Sequence, residues 1–376
     1  MIRRLIISAF LVASLVASEP VSSRPPHGLS SHRTQELSYR HDQIPDGPWS
    51  THVVKIDRSN TNLELQTTLP PGRHFGLATL SSQIKASCGR GHVIAGLNGD
   101  YYERGGPYVG DPQGLQIMNG ELISGPYDWT CFWIDAAGKP NIGKADSLFN
   151  VVLPSGEKIA FGLNEHRADD KAVIYTSVVA PSTHTHGGVE FVLEPRAKTP
   201  QLPLRANDNY FARVSEIHGG GNSKTDLNHL VLSIGPKLLS KIKAPEIGDT
   251  VRVSTATSAP LKNARMAIGG GPTLVAGGKA VFPRTTPIRH PRSALGWNKD
   301  SYFLVEVDGR QPDLSVGMTF EELANYLIKV GCTEAICLDG GGSATLWTMG
   351  QVMNDPCEGG ERGTGNGLVV IDNATN

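Results

Sequence analysis

"TFEELANYLIKVGCTEAICLDGGGS", residues 319–343, runs through a helix, a strand and a loop in one continuous stretch. Thr319 and Glu322 have the S/T-x-x-E spacing of a capping box. Phe320, Leu323, Ala324, Leu327 and Ile328 then fall on one helical face. Lys329 suits the negative end of that helix and Gly331 its C-cap. "EAICLD" reads as a strand and ends on Asp339, which Gly340, Gly341, Gly342 and Ser343 follow directly. Helix, strand and acid-glycine loop together make an α/β crossover, with the loop at the carboxyl end of a strand, where such folds place ligands. Three successive glycines lose more backbone freedom on folding than other residues would, roughly 0.5–1 kcal/mol each against alanine inside an element, so the run needs a reason. A turn or a ligand would supply it.

Upstream, "RSALGWNKDSYFLVEVDGR", residues 292–310, predicts a hairpin turning at Trp297–Asp300. "GLQIMNGELISG" predicts another about Asn119-Gly120, the commonest two-residue hairpin signal. "GHVIAGLNGDYY" carries a strand through Val93–Leu97 that delivers Asn98 and Asp100 to its end, and "THVVKIDRSN" alternates like an edge strand. Between 140 and 260 the strand candidates "KAVIYTSVV", "VEFVLEP" and "DTVRVSTAT" are separated by turns, with no fixed repeat. With 43 glycines and 25 prolines marking many turns, the expectation is an α+β fold: a β-rich mixed sheet core with few helices, in a domain over 49–376 that carries a β-rich inserted layer at 140–260.

The chain of 376 residues is 39% hydrophobic and 19% charged, which excludes a disordered chain. Arg3 and Arg4, the apolar run Leu5–Val16 and small residues before Glu19 predict a signal peptide over 1–18, with an uncleaved anchor as the other reading. The apolar run is shorter than the ~20 residues that span a bilayer. Residues 19–48 read as a flexible leader. The expected product is secreted or periplasmic, with no transmembrane segment in the mature chain. It carries 33 basic against 36 acidic side chains, a balance that predicts no nucleic-acid partner. Five cysteines without C-x-x-C spacing argue against a thiolate metal site; export permits a disulfide, for which Cys337 with Cys357 is one candidate pair.

Asp100 and Asp339 both end apolar runs beside glycines. They either close turns or form a carboxylate pair, and the supply of Asn98, Tyr101 and Ser343 around them favours chemistry. The amides of Gly340, Gly341 and Gly342 would converge as an anion nest with the Ser343 hydroxyl, although the loop lacks the lysine of a nucleotide-binding P-loop. "GGGPTLV" at 269–275 suggests close backbone approach. Arg292 supplies a planar donor set suited to a phosphoryl group, Glu306 interrupts an apolar strand, and the two are expected to pair across their hairpin. His184 and His186 lack a clear third ligand, and "HGGG" at 218–221 has no nucleophile elbow to serve. No metal or other cofactor is expected.

"IAGLNGDYY", "IGGGPTLV", "HPRSALGW", "FLVEVDGRQ", the 315–347 segment and "RGTGNGLVV", in that order, resemble the phosphodiester glycosidase family. The resemblance reaches from about residue 93 to 370 but takes little from 140–260. It implies hydrolysis of a sugar-1-phosphodiester at the anomeric C–O bond, with a small-molecule or envelope glycan phosphodiester as substrate. Asp339, Asp100 and Glu306 would be catalytic, with Asn98, Arg292, Gly340, Gly341, Gly342, Ser343, Asn366 and Tyr101 binding substrate. Tyr101, Tyr102, Tyr108, Trp129 and Trp133 would suit sugar stacking. A noncatalytic extracytoplasmic carbohydrate-binding protein and a phosphodiesterase cutting P–O are the rival readings.

Overall fold

The computed structural model describes residues 37–87, 91–196, 200–283 and 287–375, so the expected signal peptide and residues 19–36 of the expected leader lie outside the described residues. The helix at Phe320–Lys329 starts where its cap requires: Glu322 N–H donates to Thr319 Oγ1 (3.2 Å), and Thr319 N–H donates to the Glu322 carboxylate (2.9 Å). Its buried face, Leu323, Ala324 and Leu327, packs with Val53, Ala294, Val305 and Cys337 of the sheet beneath. The helix links the strands Ser301–Val307 and Glu334–Cys337. Both pair antiparallel with Arg292–Trp297 between them, so they run in the same direction, as a crossover demands.

That sheet has seven strands, in the order Leu37–Ile44, Trp49–Asp57, Ser301–Val307, Arg292–Trp297, Glu334–Cys337, Thr273–Ala276, Lys279–Ala280. Two expectations are corrected here. Residues 37–44 are a strand rather than flexible leader, and "THVVKIDRSN" is not an edge, because Leu37–Ile44 pairs along Trp49–Ile56 in an eight-residue register. The strand at Trp49–Asp57 therefore buries five successive residues, Ser50–Val54, as an interior strand does.

Two five-stranded sheets complete the central body. One centres on His92–Asn98 and Gly367–Asp372, the other on Met266–Gly269 and Tyr127–Ile134. All three sheets send side chains into one core: Val54, Leu295 and Ile336 from the first, Leu97, Leu346 and Leu368 from the second, Phe132 and Ile268 from the third. The Asn119-Gly120 hairpin forms as expected, with both turn residues at positive φ (53° and 79°). Residues 150–254 hold all eight strands of a fourth sheet, which packs through Val151, Phe191 and Leu232 onto Ile117, Leu122 and Trp133 of the third. The fold is thus β-rich, with a near-barrel sheet core and short helices. Among the described residues no helix is long and apolar enough to cross a membrane.

Cys131, Cys332, Cys337 and Cys357 are free thiols, so Cys337 and Cys357 do not pair. Cys337 is fixed inside the Glu334–Cys337 strand and fully buried, with its thiol on the Leu338 carbonyl (3.3 Å).

Candidate active site

The carboxyl ends of two strands from different sheets meet at Asp339. Asp339 N–H donates to Gly99 O (3.0 Å), and Asn98 Nδ2 donates to Asp339 O (2.7 Å). Asn98 Oδ1 accepts from Ser293 Oγ (2.6 Å) and Thr345 N (3.1 Å), so Asn98 ties the Arg292–Trp297 strand to the loop after Asp339 and positions that acid. Asn366 does the same for the neighbouring acid: its Oδ1 accepts from Asp100 N (2.8 Å) while its Nδ2 donates to Gln116 (3.0 Å). Both amides were expected to touch substrate; both are spent on the frame.

Asp339 is 5% exposed. Its Oδ1 accepts from Gly340 N (2.8 Å), while Oδ2 has no hydrogen-bond partner, and neither has the buried Ser343 Oγ. Burial raises the Asp339 pKa; Ser343, the Gly340 amide, Arg104 and Arg362 offset part of that rise. Ser343 thus lies close enough to favour the anion.

Asp100 is 1% exposed and differently held, with Oδ1 accepting from Tyr101 N (2.7 Å) and Oδ2 from Gly114 N (2.9 Å). Burial pushes its pKa up to about 7 against those two N–H groups, and the charge of Asp339 adds to the rise. A Cβ at Gly269 would strike Asp100 Oδ2, and one at Gly270 would lie 2.5 Å from Cys337 O. The second glycine run is therefore there for close packing. The Tyr101 ring stands edge-on to Trp129 (5.9 Å), and its phenol is raised by burial and by the charges of Cys337, Asp339 and Asp100, with Arg292 opposing.

The glycines after Asp339 do not form an open nest. Gly340 N–H turns back to Asp339 Oδ1, Gly341 N–H donates to Pro291 O (2.9 Å), and Gly341–Ser343 is one 3-10 turn. Their absent side chains have another use. A Cβ at Gly340 would lie 2.6 Å from Pro291 O, Gly341 has φ +62° with the Arg310 guanidinium 3.0 Å from its Cβ position, and a Cβ at Gly342 would collide with Arg362 and Glu358. The run lets two arginines lie against the loop beside Asp339.

Arg292 is buried and points to the helix side. Its Nε and one terminal nitrogen donate to Met318 O (2.9 Å) and Ile288 O (3.1 Å), and its guanidinium lies 4.2 Å from the Phe320 ring centroid. It does not pair with Glu306. The register sets Arg292 opposite Val307 and Ser293 opposite Glu306, so the two charged residues point to opposite faces. Glu306 also leaves the Asp339 group. Its strand partner is His52, burial raises its pKa well above the ordinary range, and its electrostatic neighbours are Asp308 and Cys357.

A cavity of about 560 Å³ adjoins the Tyr101 loop, walled by Tyr127 and Trp129 and edged by Glu103, Asp111 and Glu165. Trp129 is 43% exposed and free to stack on a ligand, whereas Tyr102, Tyr108 and Trp133 are buried core residues. A larger cavity, about 860 Å³, lies over the inserted sheet among His166, Arg167, His184 and His186, and neither cavity is lined by Asp100 or Asp339. Sequence reading missed Arg104, Arg310, Arg362 and Glu358. The arginines stand beside glycines in "ERGG", "DGRQ" and "RGTG", which is the signal that could have marked them.

The family described as Phosphodiester glycosidase matches residues 225–371. The SPbeta prophage-derived protein YomE of Bacillus subtilis (strain 168) is 33% identical over 84 residues, 22% of this chain and 13% of that protein. A hypothetical protein from Synechocystis superposes with a TM-score of 0.70 at 19% identity, over 90% of this chain and 62% of that one. A protein of Burkholderia pseudomallei K96243, described as exported, gives 0.65 at 22% identity over 86% and 74%. The chain thus spans under two thirds of the first two relatives. Residues 225–371 thus resemble the phosphodiester glycosidase family, and the fold resembles that of the Synechocystis and Burkholderia proteins.

Proposed function

We propose that the chain hydrolyses sugar-1-phosphodiesters at the anomeric C–O bond, releasing a free sugar and a phosphomonoester. The observation that carries this reading is the buried Asp339 carboxylate, which keeps one oxygen unpartnered beside Arg104 and Arg362. In the reaction the C1–O bond breaks, the bridging oxygen leaves with the phosphate, and water adds its oxygen to C1 and gives up a proton. A phosphate leaving group is a weak base and needs little protonation, so charge stabilisation does most of the work. Asp339 Oδ2 faces the anomeric carbon or its attacking water. Asp100, with its pKa about 7, is the acid able to exchange a proton near neutrality. Arg362, Arg310 and the remaining nitrogen of Arg292 answer the phosphoryl charge, and Trp129 supplies a stacking face for the sugar.

The inserted layer supplies Glu165 and His166 to the 560 Å³ cavity that Trp129 also lines. The export signal expected over residues 1–18 puts the substrate outside the cytoplasm, on a secreted or envelope glycan. Incubation with a panel of sugar-1-phosphodiesters tests the reading: free reducing sugar and phosphomonoester should appear together in equal amounts. Saturable binding of neutral sugar with no turnover of any phosphodiester would make the protein a carbohydrate binder instead.

A further inference from the structure

The first sheet contains a second buried polar centre that the proposed reaction does not use. His52 and Glu306 are direct cross-strand partners, and Asp308, two residues beyond Glu306, lies on the same side of the sheet. His52 is 4% exposed, Glu306 0% and Asp308 2%. One ligand atom from each lies within 4.8 Å of the other two, and they are the only such group of His, Cys, Asp and Glu among the described residues.

The surroundings fix two of these side chains and leave the third open. Tyr39 OH meets His52 Nδ1 at 2.7 Å, which leaves Nε2 turned inward, 3.0 Å from Asp308 Oδ2. The imidazole also stacks on His41 with ring centroids 4.3 Å apart. Asp308 Oδ1 accepts from Asp355 N (2.9 Å) and Oδ2 from Ser50 Oγ (2.7 Å). Glu306 receives nothing: both carboxylate oxygens are buried without a partner. Protonating Glu306 would remove its charge but leave its hydroxyl and carbonyl equally unsatisfied. A cation shared with His52 and Asp308 would satisfy it outright.

We infer that His52, Glu306 and Asp308 bind one first-row divalent cation of the Zn²⁺ or Mn²⁺ type. An imidazole with two carboxylates is the donor set such ions take, whereas Ca²⁺ needs six to eight oxygens and the two carboxylates offer four. Tyr39, Ser50 and the Asp355 amide are the outer partners that orient the ligands. The ion joins the Trp49–Asp57 and Ser301–Val307 strands to the loop after Asp355, which leads through Glu358 to Arg362. Its role is to hold that loop, and no step of the proposed hydrolysis passes through it.

The test uses the full-length chain without an affinity tag, analysed for metal after purification and again after chelation and dialysis. The chelated protein is then titrated with Zn²⁺, Mn²⁺ and Ca²⁺ while heat of binding and thermal midpoint are followed. One equivalent of Zn²⁺ or Mn²⁺ per chain, a raised midpoint and no response to Ca²⁺ are expected. Glu306→Gln, which breaks no hydrogen bond, should weaken binding at least about tenfold and lose the thermal shift. Asp308→Asn should do the same, and where it fails to fold Glu306→Gln decides. No retained metal together with no shift in the wild type overturns the inference, as does a Glu306→Gln protein that binds and shifts like wild type. Metal content and midpoint are read without any substrate, so this result stands apart from the outcome of the hydrolysis assay.

Discussion

Asp339 and Glu306 both end up buried next to the same strand, Arg292–Trp297, and both keep carboxylate oxygens without partners. Around Asp339 the chain has gathered cations from distant loops: Arg104 and Arg362 favour its charge, and Arg310 lies against the glycines that follow it. Around Glu306 it has gathered another acid, a thiol and an imidazole, and among the described residues no arginine or lysine acts on its charge. The first environment prepares a carboxylate to meet an anionic substrate. The second needs a positive charge from outside the chain. Burial and an orphaned oxygen are thus common to both; what separates a reaction centre from a binding centre is the charge of the groups that face the acid.

The largest effect should come from Asp339→Asn. The amide keeps the Gly340 contact and has no other hydrogen bond to break, so the thermal midpoint should stay near wild type while kcat falls by roughly 10²–10⁴. Steady-state kinetics beside a melting curve would reveal it, and a folded variant with full activity would erase the contrast with Glu306.

Asp100 should come next, through pH. Its folded pKa, about 7, lies above the unfolded value near 4, so the folded state holds a proton that the unfolded state releases between them. Its contribution is full below pH 4 and is lost as pH rises to 7, on the order of a few kcal/mol. Denaturant titrations from pH 4 to 7 should show a decline that Asp100→Asn lacks; parallel profiles would deny that burial governs this acid.

Gly342→Ala asks whether the glycines are there for the arginines. The new methyl would displace the Arg362–Glu358 pair, and because both are side-chain ends the fold should lose only about 1–2 kcal/mol, while KM for a phosphodiester rises more than binding of the neutral sugar weakens. An unchanged KM would return the glycine run to a purely local turn. Trp129→Ala should be the mildest, a several-fold rise in KM from about 1 kcal/mol of lost stacking, with kcat nearly constant.

Local signals carried most of the central fold. The Thr319–Glu322 cap and the Asn119-Gly120 turn each act within a few residues and formed as read, and the strand leading to Asp339 formed but ends at Cys337. Parity did not carry over. A one-residue change of register in the 292–307 hairpin puts Ser293 rather than Arg292 opposite Glu306 and reverses every inference about which groups face each other. The roles of Asn98 and Asn366 were illegible for a related reason. Their partners, Ser293, Asp339, Asp100 and Gln116, come from strands far apart in the chain, and only the assembled sheets show that their amides are already occupied. The pairings of the inserted sheet are also non-local, as in its strand at Asn150–Val152, which lies against Thr250–Ser254.

The account turns on which bond Asp339 helps to break, and oxygen-18 water reads that directly. A sugar-1-phosphodiester is hydrolysed in labelled water and both products are weighed by mass spectrometry. The account predicts label in the released sugar, none in the phosphomonoester, and loss of both products in Asp339→Asn. Label in the phosphate would place the cleavage at P–O and contradict it.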